Sequence, residues 1–174
     1  MRRPGREARR GDVDRDSYLV FVIDGRRFAM PCECVVHVAA AAELLEIPAA
    51  PPCVRGVANL GGEPVPVTDI RRRPNASFPE MELSDRFIFF RKGTHLCGLL
   101  ADSVEGVESL APGTAPLSLP STHGEDGEER TVLVAYEPGA EQGILIRSPE
   151  DLSPLTDREL QSIDRVVSSA GASS

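Results

Sequence analysis

The chain has no tryptophan and only two tyrosines, set against fifteen prolines and fifteen glycines in 174 residues. That balance favours a turn-rich architecture over a bundle of long helices. No apolar run approaches the roughly 20 residues needed to cross a bilayer, so any membrane association has to come through a partner, without direct insertion. No apolar h-region follows the arginine-rich N-terminus, so the four cysteines, Cys32, Cys34, Cys53 and Cys97, are expected to be reduced and the protein cytoplasmic. Nor is there an excess of positive charge. A net charge of -8 argues against a nucleic-acid surface and gives no attraction to an anionic membrane. At this length one domain buries about 70% of its unfolded surface, so neither a disulfide nor a metal is required to hold it.

Catalytic chemistry is equally sparse. Cys32, Cys34 and His37 read as C-x-C-x-x-H. This is not the C-x-x-C knuckle of structural zinc sites, and a second ligand pair is missing. The plainer reading makes Cys34, Cys53 and Cys97 small buried hydrophobes, with Cys32 half-exposed. A thiol or metal sensor built on Cys32, Cys34 and His37 is the remote alternative. His95 and His123 have no recognisable nucleophile and read as surface residues. Gly61-Gly62 leads into a strand, whereas phosphate-binding glycine loops lead into a helix. No catalytic residue, metal or cofactor is expected.

What the sequence does have is concentrated in Pro51 to Arg73, PPCVRGVANLGGEPVPVTDIRRR. Gly56 and Gly61-Gly62 allow tight turns on either side of Val57 to Leu60. Val65, Val67 and Asp69 then alternate with Pro66, Thr68 and Ile70 at the period of a strand. Pro64 and Pro66 remove two ladder donors, so this strand is expected at a sheet edge or to begin there. Asp69 precedes Arg71-Arg72-Arg73 and is read as fixing a local turn or pairing with an arginine.

Around this stretch the chain divides simply. Residues 1–16 hold five arginines in the first ten positions and few apolar groups, and are read as a disordered arm. Tyr18 to Ile23, Asp24-Gly25 and Arg26 to Met30 form a hairpin with a type I′ turn. Pro31 and Glu33 suit the start of a short helix with Val35, Val36 and Val38 inward, prolonged by Ala39 to Ala42. Pro74 to Ser84 is a linker, after which the opening pattern recurs: placing Gly25 over Gly93 puts Phe28 over Leu96 and Val36 over Val104. Two similar β-units packed on a shared interface follow from that repeat. Thr131 to Tyr136 and Gly143 to Ile146, a hairpin joined through Glu137 to Gln142, are expected to complete the second unit, after an unpacked acidic loop at His123 to Glu129. Thr156 and Glu159 make a capping box, Leu155 can staple to Leu160, and Leu160, Ile163 and Val167 share a helical face. One domain is expected over residues 17–167, with a C-terminal helix from about residue 156 and a disordered tail over 168–174.

The order A-P-P, V-R-G-V-x-N-L-x-G and V-P-V-x-D-I-R resembles the centre of the CheW-like chemotaxis adaptor family, with a match running from about Tyr18 to Leu152. The resemblance implies a mainly β fold of two small five-stranded SH3-like barrels side by side, with a short helix after the first hairpin and a C-terminal helix. It also implies a non-catalytic scaffold, with the regulatory domain of a CheA-like histidine kinase and the cytoplasmic tip of a chemoreceptor as partners. Carried across by position, the partner-binding residues are Val35, His37, Gly56, Asn59, Gly61 and Asp69. The family often has glutamate where this chain has His37, and arginine in the N-L-R-G turn where it has Gly61. Glycine cannot replace an arginine's bidentate hydrogen bonds, so weaker receptor contact is expected. A divergent module that has lost receptor coupling and acts as an insulator, competitor or array cap is the second implied reading.

Overall fold

Strands β1 (Ser17–Ile23) and β2 (Arg26–Pro31) pair antiparallel from Ile23↔Arg26 to Tyr18↔Pro31 in the computed structural model, which describes residues 17–71, 77–110, 117–120, 129–135 and 143–171. The turn between them has positive φ at both central residues, 50° at Asp24 and 69° at Gly25, as a two-residue hairpin of the expected type demands. Leu19, Phe21 and Ile23 are buried on one face of β1 and Val20 on the other. A strand buried on both faces explains why this segment reads as a continuous apolar run.

Past Pro31 the helix expected from the sequence is reduced to one 3-10 turn at Cys32–Cys34, and Val35–Ala40 is strand β3. Three valines in four positions lose rotamer freedom in a helix and suit a pleated surface, and this preference wins over the proline and glutamate start signals. Val35 and Val38 pack against the core, but Val36 is half-exposed, contrary to an inward role.

The remaining strands are β4 (Val54–Leu60), β5 (Glu63–Thr68), β6 (Arg86–Lys92), β7 (His95–Ala101), β8 (Ser103–Ser109), β9 (Leu117–Pro120), β10 (Glu129–Ala135) and β11 (Ile144–Ile146). They form two sheets, ordered β8-β1-β2-β11-β10-β9 and β3-β6-β7-β5-β4. The repeat seen in the sequence is real, since β1-β2-β3 and β6-β7-β8 occupy equivalent places, but each unit gives its third strand away. β3 pairs with β6 in the second sheet, and β8 pairs with β1 in the first. The parallel neighbours are equivalent as well: β11 lies beside β2, and β5 beside β7. The late strands β10 and β11 therefore complete the sheet of the first hairpin, which corrects the expectation that they belong with the second. In the second sheet Leu45 bridges to Val57, with reciprocal backbone hydrogen bonds of 3.0 and 2.8 Å, so the chain leaving β3 returns alongside β4 and closes the barrel.

Alternation along the strands divides the core into three. Val20, Ala29, Leu110, Ala135, Ile144 and Ile146 cluster on the first sheet, and Ala58, Val65, Val67, Phe87, Phe89 and Leu100 on the second. Between the sheets lies a shared core in which Phe21 and Met30 meet Ile88, Phe90 and Leu99. Phe87-Ile88-Phe89-Phe90 thus serves two cores in alternation. Cys97 is buried in the shared core, whereas Cys32, Cys34 and Cys53 are all half-buried free thiols, so Cys34 and Cys53 are less enclosed than their sequence reading. Burial pushes all four thiols above their ordinary range.

The β5 prolines do not place that strand at an edge, because it lies between β7 and β4. Leu60 and Glu63 flank the two-residue turn, so Pro64 and Pro66, opposite Asn59 and Val57, fall at the positions that exchange no hydrogen bonds with β4. Their missing donors face β7, whose pairing with β5 begins only at Val67↔Gly98.

After a one-turn helix α1 (Pro149–Leu152), capped by Ser148, helix α2 (Asp157–Gly171) packs Leu160 and Ile163 into the shared core beside Leu155. Lys92 of β6 holds the connection by donating to the carbonyls of Ser153 and Leu155. The capping box is present: Glu159 N–H donates to Thr156 Oγ1 at 3.3 Å, and Thr156 N–H to Glu159 Oε2 at 2.8 Å. Thr156→Ala should cost about 1 kcal/mol in urea unfolding. The hydrogen bond from the Thr156 backbone holds the Glu159 carboxyl below its ordinary 4.5. A depressed folded pKa gives stability that is complete above the unfolded value and is lost as pH falls through the folded one. Thr156→Ala keeps that backbone donor, so Glu159→Gln is the variant that removes the carboxylate: its deficit should shrink below about pH 4, and a deficit constant from pH 7 to 3 would rule out the Glu159 half of the box.

Candidate partner-binding site

The six residues singled out in the sequence fall into four places. Asn59, Gly61 and the adjacent Gly62 form the tip of the β4–β5 hairpin, where Asn59 Oδ1 accepts from Gly62 N–H at 2.7 Å. The short amide side chain replaces a solvent partner and fixes the turn. Gly61 is exposed with φ +64°, and a Cβ added there would meet nothing within 4 Å. The tip is sterically open, yet its backbone favours glycine by about 1 kcal/mol over other residues.

Gly56 does not make a turn. It sits at a bulge in β4, where the register shifts between Val54 and Gly56. A Cβ there would lie 2.8 Å from Leu44 Cβ and 2.8 Å from the Leu45 carbonyl oxygen. Glycine is needed because the returning chain that closes the barrel crosses directly over it.

Val35 and His37 lie two apart on β3, but a bulge intervenes. Val35 pairs with Phe90 and packs on the shared core, while His37 pairs with Phe89 of the second barrel's own core. The bulge thus sends the two side chains to opposite faces. His37 is exposed, its ring lying 6.5 Å from that of Phe89 and 16° from parallel.

Asp69 is at the opposite end of the hairpin from Gly61, and its side chain is fully buried. Its backbone N–H donates to Cys53 O at 2.9 Å. Arg71 grips it with both arms of the guanidinium, Nε to Oδ1 at 3.0 Å and Nη2 to Oδ2 at 2.8 Å, and Arg55 Nη1 adds a contact at 3.1 Å. Arg71 Nη1 also reaches Asp85 at 3.4 Å and Asp102 at 3.2 Å. The hydrogen bonds it donates to Asp69 hold the Arg71 guanidinium protonated beyond its ordinary range. Asp102 in turn accepts from Asp24 N–H at 2.7 Å, so the chain of contacts runs from the base of β5 to the β1–β2 turn of the other sheet. The pairing of Asp69 with an arginine follows the sequence reading. Asp85 and Asp102 were not singled out, and the only available signal was an aspartate just outside β6 and just after β7.

Two interlocked β-barrels with a helix across their seam define a double-barrel domain. The chain matches the model of the CheW-like domain over residues 17–153, and it belongs to that family. Its structure is similar to that of the scaffolding protein TtCheW from Thermoanaerobacter tengcongensis, with a TM-score of 0.58 at 20% identity, covering 76% of this chain and 88% of that one. Comparison with curated proteins gives no match.

Proposed function

We propose that the chain is a non-catalytic adaptor of a bacterial chemosensory pathway, coupling chemoreceptors to a CheA-like histidine kinase through protein–protein contacts. Membership of the CheW-like family over residues 17–153 carries this reading. The exposed tip at Asn59 and Gly61, with His37 on β3, supplies the direct contacts, while Val35, Gly56 and Asp69 hold the strands that present them. The protein is read as cytoplasmic and brought to receptor arrays by its partners; no described helix is long and apolar enough to cross a membrane. Calorimetric titration with the regulatory domain of the host kinase and, separately, with a receptor signalling-tip fragment tests the proposal. Failure to bind either would remove it.

One observation favours the second reading, a module that binds the kinase but has lost receptor coupling. Gly61 leaves the hairpin tip bare where an arginine would offer a fork of donors. Arginine there gains roughly 1.5–3 kcal/mol of charge-assisted hydrogen bonding to a partner, while the positive φ costs the fold about 1 kcal/mol in free and bound protein alike. Gly61→Arg is thus expected to tighten binding of the receptor tip by about tenfold, with kinase binding unchanged. Equal receptor affinity for the two proteins would show that the turn residue does not set that contact.

A further inference from the structure

Beside the bridge between Leu45 and Val57 the second barrel carries a groove of about 500 Å³ that has no place in the adaptor reading above. Its floor is apolar, formed by Leu44, Leu45, Phe78 and Met81, and Leu45 is 63% exposed. Its rim is acidic. Glu43 and Glu46 line it, and Glu80 and Glu82, both exposed, flank Met81 in sequence. The one cation among the described lining residues, Arg55, is already committed, with Nη1 on Asp69 and its guanidinium 5.4 Å over the Phe78 ring. The groove thus presents exposed apolar surface under several negative charges.

The same chain carries the complementary chemistry. Its first ten residues contain five arginines and one glutamate, so the rest of the chain is more negative than the whole. We propose that the amino-terminal arm folds back into this groove, with arginines from Arg2 to Arg10 on Glu43 and Glu46 and their aliphatic stems over Leu45. The reach is sufficient. Tyr18 pairs with Pro31, and the chain from Pro31 to Glu43 covers twelve residues, or at most about 40 Å. Arg2 and Arg3 lie about fifteen residues ahead of Ser17, which extends to about 50 Å. Tethering gives the arm an effective concentration on the order of millimolar, so weak individual contacts are enough to populate the closed form. In that form the arm covers the exposed backbone beside β4 and competes with any other protein for it. The proposal does not depend on the adaptor reading.

Methyl NMR on the full-length protein tests it. The Leu44, Leu45 and Met81 methyl resonances are compared between the native chain and a variant with Arg2, Arg3, Arg6, Arg9 and Arg10 changed to serine, with the exposed Val107 on β8 as control. The resonances should differ at about 50 mM NaCl. Raising salt to about 500 mM, which shortens the Debye length roughly threefold, should move the native positions onto those of the variant. Glu43→Gln with Glu46→Gln should do the same at low salt, leaving Val107 unmoved. Identical groove resonances in the native and arm-substituted proteins at low salt would overturn the proposal. So would displacement of those resonances by Arg72→Ser with Arg73→Ser but not by the arm substitutions, because the occupant would then be the neighbouring arginine pair.

Discussion

Replacing Arg71 by methionine should destabilise the domain by roughly 3–5 kcal/mol, a fall in melting temperature on the order of 10 °C for a chain of this size. The magnitude follows from what remains behind. Asp69 has no exposed side-chain surface and Asp85 only 2%, so removing the guanidinium takes the two-armed partner from one buried carboxylate and an arginine from the other, while Arg55 still reaches Asp69. An intact buried pair is often worth little over an apolar replacement, but one broken on a single side leaves an uncompensated charge in a low dielectric. Asp102→Asn is the informative contrast. Its side chain is 33% exposed, and solvent screens the contact with Arg71, so the loss should be about 1 kcal/mol or less. Thermal unfolding of the two variants beside the native chain measures both. A melting temperature for Arg71→Met within a degree or two of native would mean that the network contributes nothing net.

The second large effect is expected at Gly56. Valine there puts its Cβ 2.8 Å from both Leu44 Cβ and the Leu45 carbonyl oxygen, and the second of these is backbone that cannot swing aside. The returning segment has to lift off β4, which breaks the two hydrogen bonds between Leu45 and Val57 and opens the second barrel along that line. Overpacking of this kind costs about 1–3 kcal/mol, with about 1 kcal/mol more for each backbone hydrogen bond lost. Amide exchange at Val57 should become faster by at least tenfold relative to exchange at Val67. Gly61→Ala, whose added Cβ meets nothing within 4 Å, should leave Val57 exchange unchanged. If Val57 stays fully protected in Gly56→Val, the close approach is not what closes the barrel.

Elements fixed by neighbours in sequence were legible in it. The Asp24-Gly25 turn needs only two positive φ values, and the Thr156–Glu159 box only a spacing of three, so both could be read directly. The segment after Pro31 was misread because helix-start signals are local, whereas the partner that makes β3 a strand is β6, some fifty residues on. The prolines of β5 were read as marking an edge or the start of a strand, and the second holds, since β5 begins at Glu63; sequence shows that a donor is missing but not the direction in which it would have pointed. For the site, the hairpin tip and the arginine partner of Asp69 were visible in the spacing. The separation of Val35 from His37 was not, because a bulge is an insertion relative to a partner strand and has no mark in the strand that carries it. The arrival of Asp85 and Asp102 at Arg71 depends on tertiary closure and could not be read from any one segment.

The exchange of β3 and β8 between the sheets means that neither barrel is a separable piece. A fragment ending after β5 would hold β3 without the β6 it pairs with, and β1 without β8 along its outer edge. Unravelling either barrel takes a strand from the other, so the residues of both should melt in one calorimetric transition, and two resolved transitions would contradict this coupling. The long sequence separations between paired strands also make the fold slow to assemble. During synthesis the first hairpin leaves the ribosome well before either of its sheet neighbours, β8 and β11, has been made.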